Sequence, residues 1–257
     1  MRTDAGRKAA ESGVRQQSIV RSIVLHLLPG VLILVFFVIT APLLENLGAP
    51  SFLALLLAIA FVLIPFELGY LLYQGKKRNG VLSLRGIVHY RQPMPWWQYF
   101  VLAMPLFLWS GLVMMILSPA IDTFFIDNLF PWLPEWFFIG AFAEDLGQYT
   151  RPALVLTAVL NVVLNGLLGP IVEELYFRGY LLPRMSRLGK WAPLVNSLLF
   201  SLYHFFTPWQ NVGRLLAFIP LFYAVWWKKN IYVGMLVHCA GNLVGALMML
   251  ALVLRIA

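Results

Sequence analysis

The sequence predicts an all-α fold, a polytopic bundle of about seven transmembrane helices whose amino terminus is cytoplasmic. Hydrophobic residues make up 61% of the 257 residues and charged residues only 12%, whereas a soluble domain is about half apolar and about a quarter charged. A chain of this length cannot hide so much apolar surface from water, but a lipid bilayer accepts it. The expected location is therefore the cell membrane, which the chain crosses several times.

Each predicted span is an apolar run that approaches the roughly 20 residues needed to cross a hydrocarbon core of about 30 Å. The seven runs are residues 23–44, 51–73, 97–121, 152–182, 191–206, 214–227 and 231–254. Residues 124–143 are also apolar but are not counted as a span, because Asp127, Pro131, Pro134 and Glu135 interrupt them. This segment is expected on the outer surface.

The basic residues indicate how the bundle is oriented. Of the 19 Lys and Arg residues, 15 lie in the amino-terminal tail and in the loops at residues 76–91, 184–190 and 228–229. Loops rich in Lys and Arg face the cytoplasm, so the carboxyl terminus is expected outside. The net charge of +8 does not indicate a nucleic-acid partner, because the bases lie in short clusters between apolar runs and not on one water-facing surface.

Three ionisable residues, Glu173, Glu174 and Arg178, lie within the fourth apolar run. A charge at the centre of a bilayer costs about 2.5–3.5 kcal/mol, so it is usually functional. Glu174 and Arg178 are four residues apart and are expected to pair on one face of the helix. Glu173 lies about 100° around the helix and has no such partner, which makes it the first candidate for a functional residue.

The fifth and seventh apolar runs add His204, His238 and Asn242. His238 and Asn242 are four residues apart and share a helix face. Measured from the basic loops at 1.5 Å per residue, these three residues and Glu173 lie at depths of about 14–21 Å. We therefore expect all four side chains to converge on one cavity, open towards the cytoplasmic half of the membrane.

The spacing of these residues resembles the motifs of a known family. Glu-Glu-x-x-x-Arg at 173–178, Phe-x-x-x-His at 200–204 and His-x-x-x-Asn at 238–242 resemble the CPBP family of intramembrane proteases. This family includes the type II CAAX prenyl endopeptidases and bacterial relatives linked to bacteriocin processing and immunity, and the chain looks more like the bacterial branch.

The resemblance implies a role for each motif residue and a division of the chain. Glu173 matches the catalytic glutamate, Glu174 and Arg178 complete the first motif, and His204, His238 and Asn242 belong to the other two. The resemblance implies a CPBP-like protease core at 151–257. Hydropathy and charge predict the other two regions, a basic cytoplasmic tail at 1–22 and amino-terminal transmembrane helices with the outer interfacial segment at 23–150.

The chemistry of the four candidate residues is compatible with peptide hydrolysis. Glu173 can take a proton from water while His204 holds that water, and His238 and Asn242 can donate hydrogen bonds to the oxyanion. The expected partner, besides the lipid bilayer, is a peptide or membrane-protein substrate, with no cofactor and no metal. The alternative is a catalytic zinc held by Glu173, His204 and His238 with water as the fourth ligand.

Two other functions stay open at this point. A non-catalytic immunity or scaffold protein could keep the same helices, although it would not need all four polar residues. A transporter also places charge in the middle of the membrane, but it would show polar residues on several spans. Here the first and third apolar runs are almost wholly apolar, and Glu67 in the second lies near its inner end.

Overall fold

The computed structural model describes residues 14–140 and 146–256. The part of the predicted basic tail at residues 1–13, and residues 141–145 of the predicted outer segment, lie outside the described residues. Within the described ranges the regular elements are all helices, with no strand, and the only β-type pairing is an isolated bridge between Arg91 and Asn230. The predicted all-α membrane bundle is confirmed.

Seven long helical elements follow one another along the chain. We label them α1 (Ile19–Asn46), α2 (Phe52–Asn79), α3 (Trp96–Leu129), α4 (residues 151–181), α5 (Ala192–Leu202), α6 (Asn211–Lys228) and α7 (Ile231–Ile256). The helix α1 begins at an N-cap, where the Ser18 hydroxyl accepts a hydrogen bond from the backbone nitrogen of Arg21. This cap satisfies one of the free N–H groups at the start of a helix.

Five helical stretches within the described residues are long and apolar enough to cross a membrane. They are α1, α2, α3, the stretch 151–202 and α7. The predicted fifth span at 191–206 corresponds to α5, which has only 11 residues and ends at Leu202. The predicted sixth span corresponds to α6, which has 18 residues. The count of seven spans and the cytoplasmic amino terminus stay predictions.

The end of α3 differs from the sequence-based expectation. The helix was expected to end near residue 121, but it continues to Leu129. Asp127 is exposed on this extension, and Pro131 and Pro134 come after its last residue, so none of the three interrupts the helix. Phe137, which belongs to the segment expected on the outer surface, is buried against Phe37 of α1.

The helix α4 changes its winding on both sides of Glu173. Residues 161–168 and 174–181 are π-helical, and the short α-helical segment Gly169–Glu173 lies between them. Stretches of π-helix inside α-helices are frequent at functional sites. Beyond α4, Gly189 adopts φ 56° and ψ −128°, and this left-handed conformation turns the chain into α5.

A close approach of two backbones fixes α1 against the turn that follows α5. A Cβ atom at Gly30 would overlap the carbonyl oxygen of Tyr203, so only glycine fits there. Around this contact the core is aromatic, because Phe177, Phe200 and Tyr203 pack with ring centroids 5.0–5.7 Å apart. The packing places the last turn of α5 beside the middle of α4, where Glu173 lies.

Candidate active site

Glu173 is the centre of a cluster of buried polar groups. It lies on the short α-helical segment of α4 and is 6% exposed. One carboxylate oxygen, Oε1, accepts a hydrogen bond from the Tyr203 hydroxyl. The other, Oε2, faces Nε2 of His238 at 3.7 Å. Glu173 is therefore held from one side by α5 and faces α7 on the other.

His238 connects Glu173 to the predicted ion pair. Its Nδ1 lies 3.1 Å from Oε1 of Glu174, and the same oxygen lies 3.2 Å from Nη1 of Arg178. A carboxylate oxygen only accepts hydrogen bonds, so Nδ1 of His238 is the donor in this contact. Glu174 and Arg178 do pair, as expected from their spacing, and both are completely buried.

Arg178 is held mainly by two aromatic rings. Its guanidinium carbon lies 4.0 Å from the ring centroid of Phe200 and 3.9 Å from that of Phe222. None of its guanidinium nitrogens has a hydrogen-bond partner of good geometry among the described residues, so the contact with Glu174 is an ion pair by distance alone. A cation between two aromatic faces is stabilised by both ring quadrupoles.

His204 lies in the turn that follows α5, not within a helix. Its Nδ1 is 2.9 Å from the backbone oxygen of Phe200, which can only accept, so Nδ1 donates. In the neutral ring Nε2 is then an acceptor. The His204 ring packs against the ring of Tyr203 at 4.3 Å between centroids, and Tyr203 is the residue that binds Glu173.

Asn242 lies one turn beyond His238 on α7, and its amide is directed towards α4. Its Nδ2 donates to the backbone oxygen of Asn165 at 2.9 Å and makes a longer contact of 3.4 Å with Asn165 Oδ1. Asn165 in turn donates to Asn161 at 2.9 Å. These contacts form a row of amides from α7 into the π-helical part of α4.

All four predicted site residues line one cavity of about 580 Å³. The cavity is also lined by Phe52, Ile139, Thr207 and Gln210. These residues lie at the end of the bundle away from the basic loops, because α5 starts beside the loop at 184–190 and runs towards them. The prediction that the cavity opens towards the cytoplasmic half stays a prediction. The rise per residue of a helix gives the distance of a side chain from the basic loop. It does not tell towards which membrane surface the cavity beside that side chain extends.

Two contributors to the site, Tyr203 and Asn165, were not singled out from the sequence. Two other residues, Phe200 and Glu67, were named there without a role in the site. Tyr203 and Phe200 lie inside the second motif, so their position beside His204 was the available signal. Glu67, expected near the membrane surface, is completely buried and both of its carboxyl oxygens lack a hydrogen-bond partner among the described residues.

Glu173, His204 and His238, the ligands of the alternative zinc site, are not arranged as a metal site. Among residues 14–140 and 146–256, no group of three or more His, Cys, Asp and Glu side chains is arranged to hold a metal ion. Within the predicted set, Glu173 and His238 face each other at 3.7 Å, while one oxygen of Glu173 is bound to Tyr203. The expectation of a site without metal stays a prediction, and it is tested below.

The fold and this cluster define a class, which is a polytopic helical membrane protein with buried acid–base groups at one cavity. Residues 154–244 match the family model described as type II CAAX prenyl endopeptidase Rce1-like, so this part of the chain is similar to that family and the predicted resemblance is confirmed there. The match supports intramembrane protease function in general. No curated protein and no solved structure matches the chain. Relation to the bacterial branch stays a prediction.

Proposed function

We propose that the protein is an intramembrane endopeptidase of the cell membrane that hydrolyses peptide bonds with water activated by Glu173. The observation that carries this proposal is the contact of 3.7 Å between Glu173 and His238 at a cavity of about 580 Å³. A base and a hydrogen-bond donor meet there, and the space beside them can hold a short stretch of peptide, since ligand sites are commonly about 300–1,000 Å³.

In the proposed reaction, Glu173 takes a proton from a water molecule that His204 helps to hold through its acceptor nitrogen, Nε2. The water oxygen forms a bond to the carbonyl carbon of the peptide, and the carbonyl oxygen becomes an oxyanion. The C–N bond then breaks, and the proton on Glu173 passes to the leaving nitrogen. General acid–base catalysis of this kind contributes about 10²–10⁴-fold to a rate.

Donors on α7 are available for the oxyanion. His238 can donate through Nε2 when it is protonated. Asn242 uses one N–H bond for the backbone oxygen of Asn165, and its second N–H makes only the contact of 3.4 Å with the side chain of Asn165. This second N–H is the one that can turn to the oxyanion, and loss of such a donor costs about 10²–10³-fold in turnover.

The test is cleavage of a peptide or membrane-protein substrate by purified wild type and by Glu173→Gln. Glutamine keeps the shape but cannot take a proton, so the turnover should fall by about 10²–10⁴-fold. A proteomic comparison of membranes that carry wild type or Glu173→Ala identifies the substrate as an accumulated precursor. Near-normal cleavage by Glu173→Gln would contradict the proposal.

Whether cleavage requires a metal ion can be tested on the same purified protein. Wild-type protein should remain active after exhaustive chelation, and elemental analysis should find no stoichiometric zinc. If activity disappears and returns with zinc, Glu173, His204 and His238 act as ligands and the proposed role of Glu173 as the free base is wrong. The substrate would then be the same, but the water would be activated by the metal.

A further inference from the structure

Arg214 is a buried cation in the wall of the cavity that the proposed reaction does not use. It lies in the first turn of α6, is 8% exposed and lines the same cavity as Glu173. Three neutral side chains from its own turn and the preceding loop hold it. Nη2 donates to Thr207 and to Gln210, both at 2.9 Å, and Nη1 donates to Asn211 at 3.1 Å.

The charge of Arg214 has no matching carboxylate in contact. Among the described residues, no carboxylate oxygen lies within 4.0 Å of its guanidinium nitrogens. The nearby Asp122 accepts a hydrogen bond from the Ser118 hydroxyl at 3.1 Å instead. A buried arginine is costly inside a membrane protein and is normally paired, so a cation with only neutral partners is an exception that needs a reason.

The geometry of these hydrogen bonds leaves part of the guanidinium free. Arginine has five N–H bonds, and three are used for Thr207, Gln210 and Asn211. The N–H on Nε and one N–H on Nη1 have no partner among the described residues. The neutral partners fix the plane of the guanidinium. Both N–H bonds on Nη2 are used, and the two free N–H bonds lie on different edges, so each is available for a single charge-assisted hydrogen bond to a carboxylate oxygen. The amino end of α6 adds partial positive charge at the same place.

We propose that Arg214 binds a carboxylate group of the substrate in the cavity and so selects peptides that carry a negative charge near the bond to be cleaved. This inference rests on the proposed function, since it names a substrate feature of the same site. The carboxylate can be the free carboxyl terminus of a peptide or the side chain of an acidic residue. Both sources present the same group to the guanidinium.

The test compares peptides that differ only in this group. One pair has a free or an amidated carboxyl terminus, and a second pair has Glu or Gln at an internal position. Wild type should cleave the acidic member of one pair about 10–100-fold faster, as expected for hydrogen bonds to a charged group. Arg214→Gln should lose this preference, measured as the ratio of the two cleavage rates, and Arg214→Lys should keep part of it.

A matched control is Arg184→Gln. Arg184 is also 8% exposed but lies outside the cavity, where it donates to the backbone oxygens of Ile87 and Tyr180. This variant should keep the preference for the acidic peptide. If wild type cleaves both members of both pairs equally, Arg214 does not bind a substrate carboxylate and the inference is overturned, whether or not Arg214→Gln folds.

A binding measurement separates this inference from the proposed protease activity. The variant Glu173→Gln should bind the acidic peptide more tightly than its neutral partner, and the double variant with Arg214→Gln should bind both equally. Preferential binding without any cleavage by wild type would support the role of Arg214 and contradict the protease. Cleavage of all four peptides at one rate would support the protease and contradict the role of Arg214.

Discussion

Replacement of Arg178 by alanine should damage folding more than any other single change in the site. The substitution removes the cation that lies 3.2 Å from Glu174 and between two aromatic rings, 4.0 and 3.9 Å from their centroids. It leaves the buried Glu174 with His238 alone, and Oε2 of Glu174 has no hydrogen-bond partner among the described residues. Loss of one partner of a buried ion pair costs about 3–5 kcal/mol.

The magnitude can be measured as a shift in thermal unfolding. For a chain of this size each kcal/mol corresponds to about 2–4 °C, so Arg178→Ala should lower the midpoint by about 6–20 °C. Purified protein in detergent, followed by tryptophan fluorescence, gives this value, and immunoblots of membranes give the effect on abundance. The matched control is the double variant Glu174→Gln with Arg178→Met, which removes both charges and keeps similar volumes.

The double variant should be more stable than Arg178→Ala, because no uncompensated charge is left. A double-mutant cycle with Glu174→Gln and Arg178→Met alone gives the coupling energy of the pair. A loss below about 1 kcal/mol for Arg178→Ala would refute this account of the cluster. It would also be refuted if the double variant were no more stable than Arg178→Ala.

Three further predictions concern other parts of the molecule. A Cβ atom at Gly234 would overlap Oε2 of Glu174 and lie 3.0 Å from its Cδ. The substitution Gly234→Ala should therefore displace this carboxylate, lower the free energy of unfolding by roughly 1–3 kcal/mol and reduce cleavage. Unchanged activity would show that the carboxylate can move without loss. In the loop between α2 and α3, burial lowers the pKa of His89 to about 4, and three nearby arginines act in the same direction. The unfolded chain therefore binds more protons between about pH 6.5 and 4, so stability should fall as the pH falls through this window, and His89→Gln should show a shallower loss; identical pH profiles for the two proteins would contradict this. Finally, a reporter fused after Ala257 should be active only when exported, because 15 of the 19 basic residues are assigned to the other side; cytoplasmic activity there would reverse the predicted orientation.

Much of the helical framework could be predicted from hydropathy alone. The first two spans were expected at residues 23–44 and 51–73, and the structure has Ile19–Asn46 and Phe52–Asn79. Membrane helices are predictable because every backbone polar group in lipid must be satisfied within the helix itself. The additional turns beyond the apolar runs were missed because polar residues outside the hydrocarbon region do not end a helix.

Shorter elements were less predictable, since they depend on tertiary contacts. The helix α5 ends at Leu202, and the next residues turn so that Tyr203 can contact both Glu173 and the backbone at Gly30. No local breaker marks this end, because the nearest proline is Pro208. His204 therefore lies in a turn, although the apolar run of residues 191–206 predicted a helix there.

The site was predictable only where residue types are rare in an apolar chain. Buried Glu, Arg and His are conspicuous because each is costly in a membrane. Aromatic residues make up 15% of the chain, so nothing in the sequence distinguishes Phe222 from the other phenylalanines, and Phe200 is marked only by its place in the second motif. Such contacts arise from how α4, α5 and α6 pack and are not encoded in any spacing along one helix.

The order of contacts in the cluster explains why its members should fail in different ways. Glu173, His238, Glu174 and Arg178 follow one another along contacts of 3.7, 3.1 and 3.2 Å. If Glu173 becomes glutamine, Glu174 and Arg178 still pair, so the protein should fold but lose its base. If Arg178 is lost, the buried carboxylate of Glu174 loses its ion-pair partner, and folding should suffer. Glu173 therefore determines the chemistry, and Arg178 determines the stability. This separation distinguishes a hydrolase from a scaffold with the same helices. A scaffold would tolerate Glu173→Gln and fail only with Arg178→Ala.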